Sequence, residues 1–108
     1  MPLRDEIAEL LRMPENGAGA PSLDTIESTL TDGYAAKLEL EAERSRIERR
    51  LGEVVRDAGE ASANSTAAEL ADLSKRLETA DGELARLRSL LRNLQSVRRR
   101  RRAAVAAG

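Results

Sequence analysis

The most regular apolar pattern in the chain lies between Leu70 and Leu94. Apolar residues recur there at alternating steps of three and four, at Leu70, Leu73, Leu77, Ala80, Leu84, Leu87, Leu91 and Leu94. These steps are typical of the a and d positions of a coiled coil. Such a seam needs a second helix to pack against, so the pattern predicts a partner helix elsewhere in the chain.

The upstream sequence supplies this partner, predicted over residues 22–58. Ser22 follows Pro21 and is a good N-cap, and Gly59 lies where a C′ glycine would end the helix. The same steps of three and four pass through Leu23, Ile26, Leu30, Gly33, Lys37, Leu40, Arg44, Ile47, Leu51, Val54 and Ala58. Because Gly33, Lys37 and Arg44 are poor seam residues, this helix is the weaker half of the pair.

A loop over residues 59–65 is predicted to lead into the second helix, over 66–102. Thr66 is the expected N-cap, with Glu69 completing a capping box. A chain that turns back near residue 62 brings Leu51 opposite Leu73, a register in which facing residue numbers sum to 124. The apolar seams of the two helices, each identified independently, then face each other along their length.

The charges beside the seam disagree with this register. Its flanking g positions pair Arg50 with Arg76 and Glu43 with Glu83, whereas a slip of one heptad would pair Arg50 with Glu69. Exposed ion pairs contribute about 0–1 kcal/mol, less than a displaced leucine layer costs, so the unslipped register is favoured. The like-charged bands then indicate that a second molecule pairs with them.

A short amphipathic helix is predicted over residues 1–13, followed by a Pro- and Gly-rich linker over 14–21. The predicted partner or dimer interface combines the apolar face of this helix with four apolar residues that lie outside the seam of the long helices. These eight residues are Leu3, Ile7, Leu10, Leu11, Tyr34, Leu38, Leu90 and Val97. Two compatible interpretations stay open: the helix folds back in cis, or it is shared between two copies.

The predicted fold is therefore all-α. It is an antiparallel two-helix coiled-coil hairpin over residues 22–102, with a short N-terminal amphipathic helix and a flexible tail over 103–108. A thin two-helix structure buries little core per residue, so we expect association into a helical-bundle dimer.

Composition argues against an enzyme. The 108 residues contain no Cys and no His, which removes thiolate metal sites and the commonest general base. No glycine-rich phosphate loop is present either. We expect no catalytic residue, no metal, no cofactor and no small-molecule substrate. No apolar run is long enough for a transmembrane segment, so the expected location is the cytoplasm. Only two of the 18 basic residues are Lys, a bias attributed to a GC-rich, bacterial genome.

The formal net charge of −1 hides a basic end. The run Arg98, Arg99, Arg100, Arg101 and Arg102 carries five positive charges, and residues 1–97 carry 13 basic against 19 acidic residues. One interpretation pairs these arginines with the helix dipole and with Asp24, Glu27 and Asp32. The other makes them a polyanion-binding tail for nucleic acid or anionic lipid. The first is favoured, because no aromatic residues are interleaved for base stacking.

The loop end of the predicted hairpin carries Asp57 and Glu60 as candidate tip contacts. In outline this resembles the coiled-coil arm of bacterial transcript-cleavage factors, whose acidic hairpin tip enters RNA polymerase. The resemblance implies a polymerase contact through these two carboxylates. No family motif aligns with the sequence.

Three functions follow from these patterns. The favoured one is a non-enzymatic coiled-coil structural and protein-interaction module, a scaffold or adaptor that self-associates and holds a protein partner. The alternative is a nucleic-acid-associated protein that uses the arginine run. A third is a transcription-factor-like hairpin whose acidic tip binds RNA polymerase.

Overall fold

The structure is a computed structural model that describes residues 2–15, 17–59 and 62–107. The described residues form three α-helices and no strand: α1 (Pro2–Arg12), α2 (Leu23–Arg56) and α3 (Ala63–Ala107). The predicted all-α class is confirmed. The chain divides into two compact units, the first formed by residues 1–37 and 86–108, the second by residues 38–85.

Local capping explains where the long helices begin. Ser22 caps α2 as predicted, because its Oγ accepts the Thr25 N–H at 3.1 Å. The start of α3 differs from the prediction. Ser62 is its N-cap, with its Oγ accepting the Ser65 N–H at 3.2 Å, so the helix begins before Thr66 rather than at it.

The helix ends also differ from the sequence-based boundaries. α2 ends at Arg56, and Gly59 does not adopt the positive φ of a C′ glycine. Among the described residues, positive φ occurs at Gly17 in the linker, where φ is 88°. α3 continues to Ala107, so residues 103–107 are helical where a flexible tail was expected. Alanine has the highest helix propensity, which accounts for the extension through Ala103, Ala104, Ala106 and Ala107.

Burial follows the predicted seam closely. Ten of the twelve buried apolar residues in the described chain occupy predicted seam positions, and the two others are Ile7 and Val97. The ten are Ile26, Leu30, Ile47, Val54, Leu73, Ala80, Leu84, Leu87, Leu91 and Leu94. The period of three and four residues therefore identifies the core.

In the first unit, all three helices meet at Gly33 of α2. A Cβ at this position would overlap the Leu91 Cδ2 methyl of α3, and it would lie 3.6 Å from Ile7 Cδ1 of α1. Ile7 and Leu91 are 0% and 1% exposed. The missing side chain of Gly33 thus makes room for Leu91, and α1 packs in cis against both long helices.

In the second unit, α2 packs against α3 through one apolar cluster. Its buried members are Ile47, Val54, Leu73 and Ala80, with Leu51, Leu70 and Leu77 partly buried around them. Arg44 contacts Asp81 and Arg50 contacts Glu69, so residue numbers rise along one helix as they fall along the other. The two helical segments therefore run in opposite directions within this unit.

Candidate interaction surfaces

The arginine run lies in the first unit, where most of its members contact acidic groups of the same chain. Arg100 donates to both carboxylate oxygens of Glu15, with Nε at 3.1 and 3.2 Å. Arg101 Nη1 donates to the Glu15 backbone carbonyl at 2.9 Å. Arg102 Nη2 donates to Glu27 Oε1 at 2.8 Å, and Arg98 Nε lies 3.5 Å from the same oxygen.

These contacts agree only in part with the sequence analysis. Glu27 was an expected partner, but Glu15 was not, because it lies in the linker, whose position sequence patterns do not reveal. Asp24 and Asp32, the other expected partners, form no ion pair with the described arginines. The contacts of Glu15 hold the start of the linker against α3, and the buried side chain of Ile7 holds α1 within the same unit.

The paired carboxylates are easier to ionise than free ones. The Arg100 hydrogen bond lowers the pKa of Glu15, and the Arg102 hydrogen bond lowers that of Glu27, with Coulomb attraction adding to both. Desolvation opposes each shift. The same hydrogen bond with Glu15 raises the pKa of Arg100. These groups are solvent-accessible, so each pair is weak and screened by salt.

Further basic residues of α3 lie before the arginine run. From Leu84 onward the chain contains eight arginines and no acidic residue, the additional three being Arg86, Arg88 and Arg92. Counting the whole first unit gives 11 Arg and Lys against 7 Asp and Glu, while the second unit has 7 against 12. Positive charge thus accumulates in the first unit, a signal that a count of acidic residues along the C-terminal third would have found.

The predicted partner interface divides into buried, half-buried and exposed residues. Ile7 and Val97 are buried inside the first unit and are inaccessible in this arrangement. Half-buried members of that unit are Leu3, Leu10, Leu11 and Leu90. Tyr34, also in the first unit, is 40% exposed with the Lys37 ammonium 6.0 Å from its ring centroid. Leu38, in the second unit, is 66% exposed.

Two arginines beside the seam of the second unit contact acidic residues of the other helix. Arg50 Nη2 lies 2.6 Å from Glu69 Oε1, and Arg76 Nη2 lies 3.5 Å from Glu43 Oε1. Arg50 and Arg76, which the sequence analysis paired with each other, thus each contact an acidic residue instead. In the unslipped register, each of these arginines lies five residues along the helix from the position that faces its acidic partner. This offset is about 7.5 Å, a distance that an Arg and a Glu side chain can span together.

The contact between Arg44 and Asp81 distinguishes the two registers. These residues are one position off level in the unslipped register and eight positions off in the slipped one, about 12 Å at 1.5 Å per residue. The short Asp81 side chain cannot cover that distance. This contact is therefore closer to level in the unslipped register than in the slipped one.

The tip contacts are only partly described. Asp57 is exposed in the turn after α2. Glu60 lies outside the described residues.

Two searches cover other kinds of site. No group of three or more acidic side chains in the described part of the chain is placed to hold a metal ion. No described helix has an apolar stretch of the length needed to cross a membrane.

Comparison with known proteins leaves the chain without a family assignment. No protein-family model, curated protein or solved structure matches it.

Proposed function

We propose that the protein is a non-enzymatic interaction module, built on antiparallel coiled-coil packing, that self-associates and holds protein partners. In the second unit the core is one cluster of seam residues between two helices, and such thin structures gain stability when a further apolar surface is covered. The catalytic groups most used by enzymes, His and Cys, are absent from the sequence.

The observation that carries this proposal is the exposure of Leu38. This large apolar side chain lies within α2, yet 66% of it is exposed while the adjacent seam residues are half-buried or buried. Covering it in a dimer would remove apolar surface from water at about 25 cal/mol per Å². Tyr34 and the half-buried leucines of α1 supply further surface of the same kind in the first unit.

Light scattering at micromolar concentration tests self-association. We expect the mass of a dimer or larger assembly, and we expect Leu38→Glu to shift the protein toward the monomer. Val55→Glu is the matched control: Val55 lies on the same helix and is 62% exposed, but it is outside the predicted interface. A wild-type protein that is monomeric and fully helical would contradict the proposal, and equal effects of both variants would show that Leu38 does not mark the interface.

A further inference from the structure

The carboxyl-terminal part of α3 carries two groups of arginines with different surroundings. Arg98, Arg100 and Arg102 contact carboxylates of the same chain. Arg86 and Arg92 form no ion pair within the described residues, and Arg99 donates only to the Ser96 hydroxyl at 3.1 Å. These last three side chains are exposed, so their charges are available to an external anion.

Helix geometry places the available arginines in two rows, the first formed by Arg86 and the second by Arg92 and Arg99. At 3.6 residues per turn, Arg86 and Arg92 lie about 120° apart around α3, and Arg99 lies within about 20° of Arg92. Ser89 and Ser96 lie between the rows. From Arg86 to Arg99 the face extends about 20 Å along the helix axis. We call these five residues the α3 basic face.

α1 adds a fourth cation beside the first row. Arg4, Arg86, Ser89 and Leu90 line an open groove between α1 and α3, together with Asp5 and Ala8. The Nε atom of Arg4 is buried and has no hydrogen-bond partner. Docking of α1 in cis thus brings a second guanidinium to the edge of the face at Arg86.

We propose that the α3 basic face, with Arg4, binds the phosphate backbone of a duplex nucleic acid without reading its sequence. An α-helix with its side chains is about 10–12 Å wide and enters the major groove, which is about 12 Å wide. Arginines on both sides of the helix then reach phosphates on both walls, and the Ser89 hydroxyl adds a hydrogen bond to a phosphate oxygen. The Ser96 hydroxyl instead donates to the Arg92 backbone carbonyl at 3.2 Å and accepts from Arg99. This inference is independent of the proposed self-association.

The composition of the face favours nucleic acid over a lipid surface. No apolar or aromatic side chain lies between the two arginine rows, whereas membrane-surface helices bury an apolar face in the lipid boundary. The net positive charge of the first unit also favours a polyanion there. An acidic protein surface, such as the second unit of another copy, is the remaining rival and is separated by the experiment.

The experiment measures binding of the full chain to a fluorescent 20-base-pair duplex of mixed sequence by anisotropy. Four phosphate contacts predict a slope of about −3.6 in log affinity against log salt, a loss of roughly a hundredfold between 50 and 200 mM. The triple variant Arg86→Gln, Arg92→Gln, Arg99→Gln is expected to reduce the slope to about −1 and to weaken binding at 50 mM by at least tenfold.

Two further variants separate the face from net charge and from the arginine run. Arg46→Gln, Arg49→Gln, Arg56→Gln removes three charges from the second unit and is the charge-matched control. Arg98→Gln, Arg100→Gln, Arg102→Gln removes the paired arginines. We expect both to retain most of the affinity, with helicity checked by circular dichroism for every variant.

Several results would overturn the proposal. Undetectable duplex binding at 50 mM salt would do so, as would equal losses in the face and control variants. A loss confined to the run variant, with its helicity retained, would return the site to residues 98–102. Binding to phosphatidylserine vesicles without duplex binding would identify a lipid surface. If no duplex binds, and the mass of the protein assembly in solution depends on salt and falls only in the face variant, the surface is a protein interface.

Discussion

Replacing Gly33 by alanine tests the packing of the first unit, with Gly82 as an internal control. Both glycines follow an aspartate inside a long helix, so their local sequences are alike. Their surroundings differ. A Cβ at Gly33 would overlap the Leu91 side chain, whereas a Cβ at Gly82 would meet nothing within 4 Å.

The expected free-energy changes follow from two opposing effects. Alanine is favoured over glycine inside a helix by about 1 kcal/mol, and this gain applies at both sites. At Gly33 the added methyl group overpacks a site where Leu91 is 1% exposed, which typically costs about 1–3 kcal/mol. Gly82→Ala should therefore stabilise the protein by about 1 kcal/mol, and Gly33→Ala should be neutral or destabilising by up to about 2 kcal/mol.

Chemical and thermal unfolding at one fixed protein concentration measure this difference. For a domain of this size, 1 kcal/mol corresponds to roughly 4–8 °C in Tm. The concentration is fixed because association would itself change the apparent stability. Proteolysis in the linker gives a second measurement. A Cβ at Gly33 would also lie 3.6 Å from Ile7 Cδ1, so repacking there should release α1 in Gly33→Ala only.

One result would refute this reasoning. If Gly33→Ala stabilises the protein as much as Gly82→Ala does, then Leu91 and Ile7 do not fill the space beside Gly33. The cis docking of α1 described above would then be incorrect.

Two other predictions concern the start of α3 and the acid limit of stability. Ser62→Ala should destabilise the protein by about 0.5–2 kcal/mol, whereas Thr66→Ala should cost much less. Urea unfolding measures both changes, and the reverse order would place the N-cap at Thr66. Glu15 and Glu27 have lowered pKa values in the folded protein, so their stabilising contribution is present above the unfolded value near 4.5 and is lost as the pH falls through the lower folded pKa. Stability should decline as the pH falls below the unfolded value near 4.5, and Arg102→Gln should make that decline shallower. An unchanged profile would show that the Glu27 pair contributes nothing.

Local patterns in the sequence were sufficient to locate the long helices and their buried faces. The a and d steps predicted ten of the twelve buried apolar residues, and Ser22 was identified as a cap from its own chemistry. Both depend on neighbouring residues in one helix, so they need no knowledge of the rest of the molecule. A register in which facing numbers sum to 124 also sets Gly33 opposite Leu91, and these two residues meet in the first unit.

Other features were present in the sequence but ambiguous. Ser62 and Thr66 are both competent N-caps, and their side chains alone do not decide between them. The alanines after Arg102 have high helix propensity, which the prediction of a flexible tail neglected. The charges of Arg86 and Arg92 are present in the sequence, but nothing local shows that three arginines of the run are paired with carboxylates.

The sequence by itself determined that this protein is helical and which stripe of each long helix is buried, because helical periodicity is a local property. Only the tertiary structure decided which charges meet. Arginine side chains reach several ångströms along a helix, so Arg50 finds Glu69 rather than the residue level with it. The linker brings Glu15 to Arg100, a contact across 85 residues that no periodicity encodes. Which arginines stay available to an external anion depends on those long-range pairings.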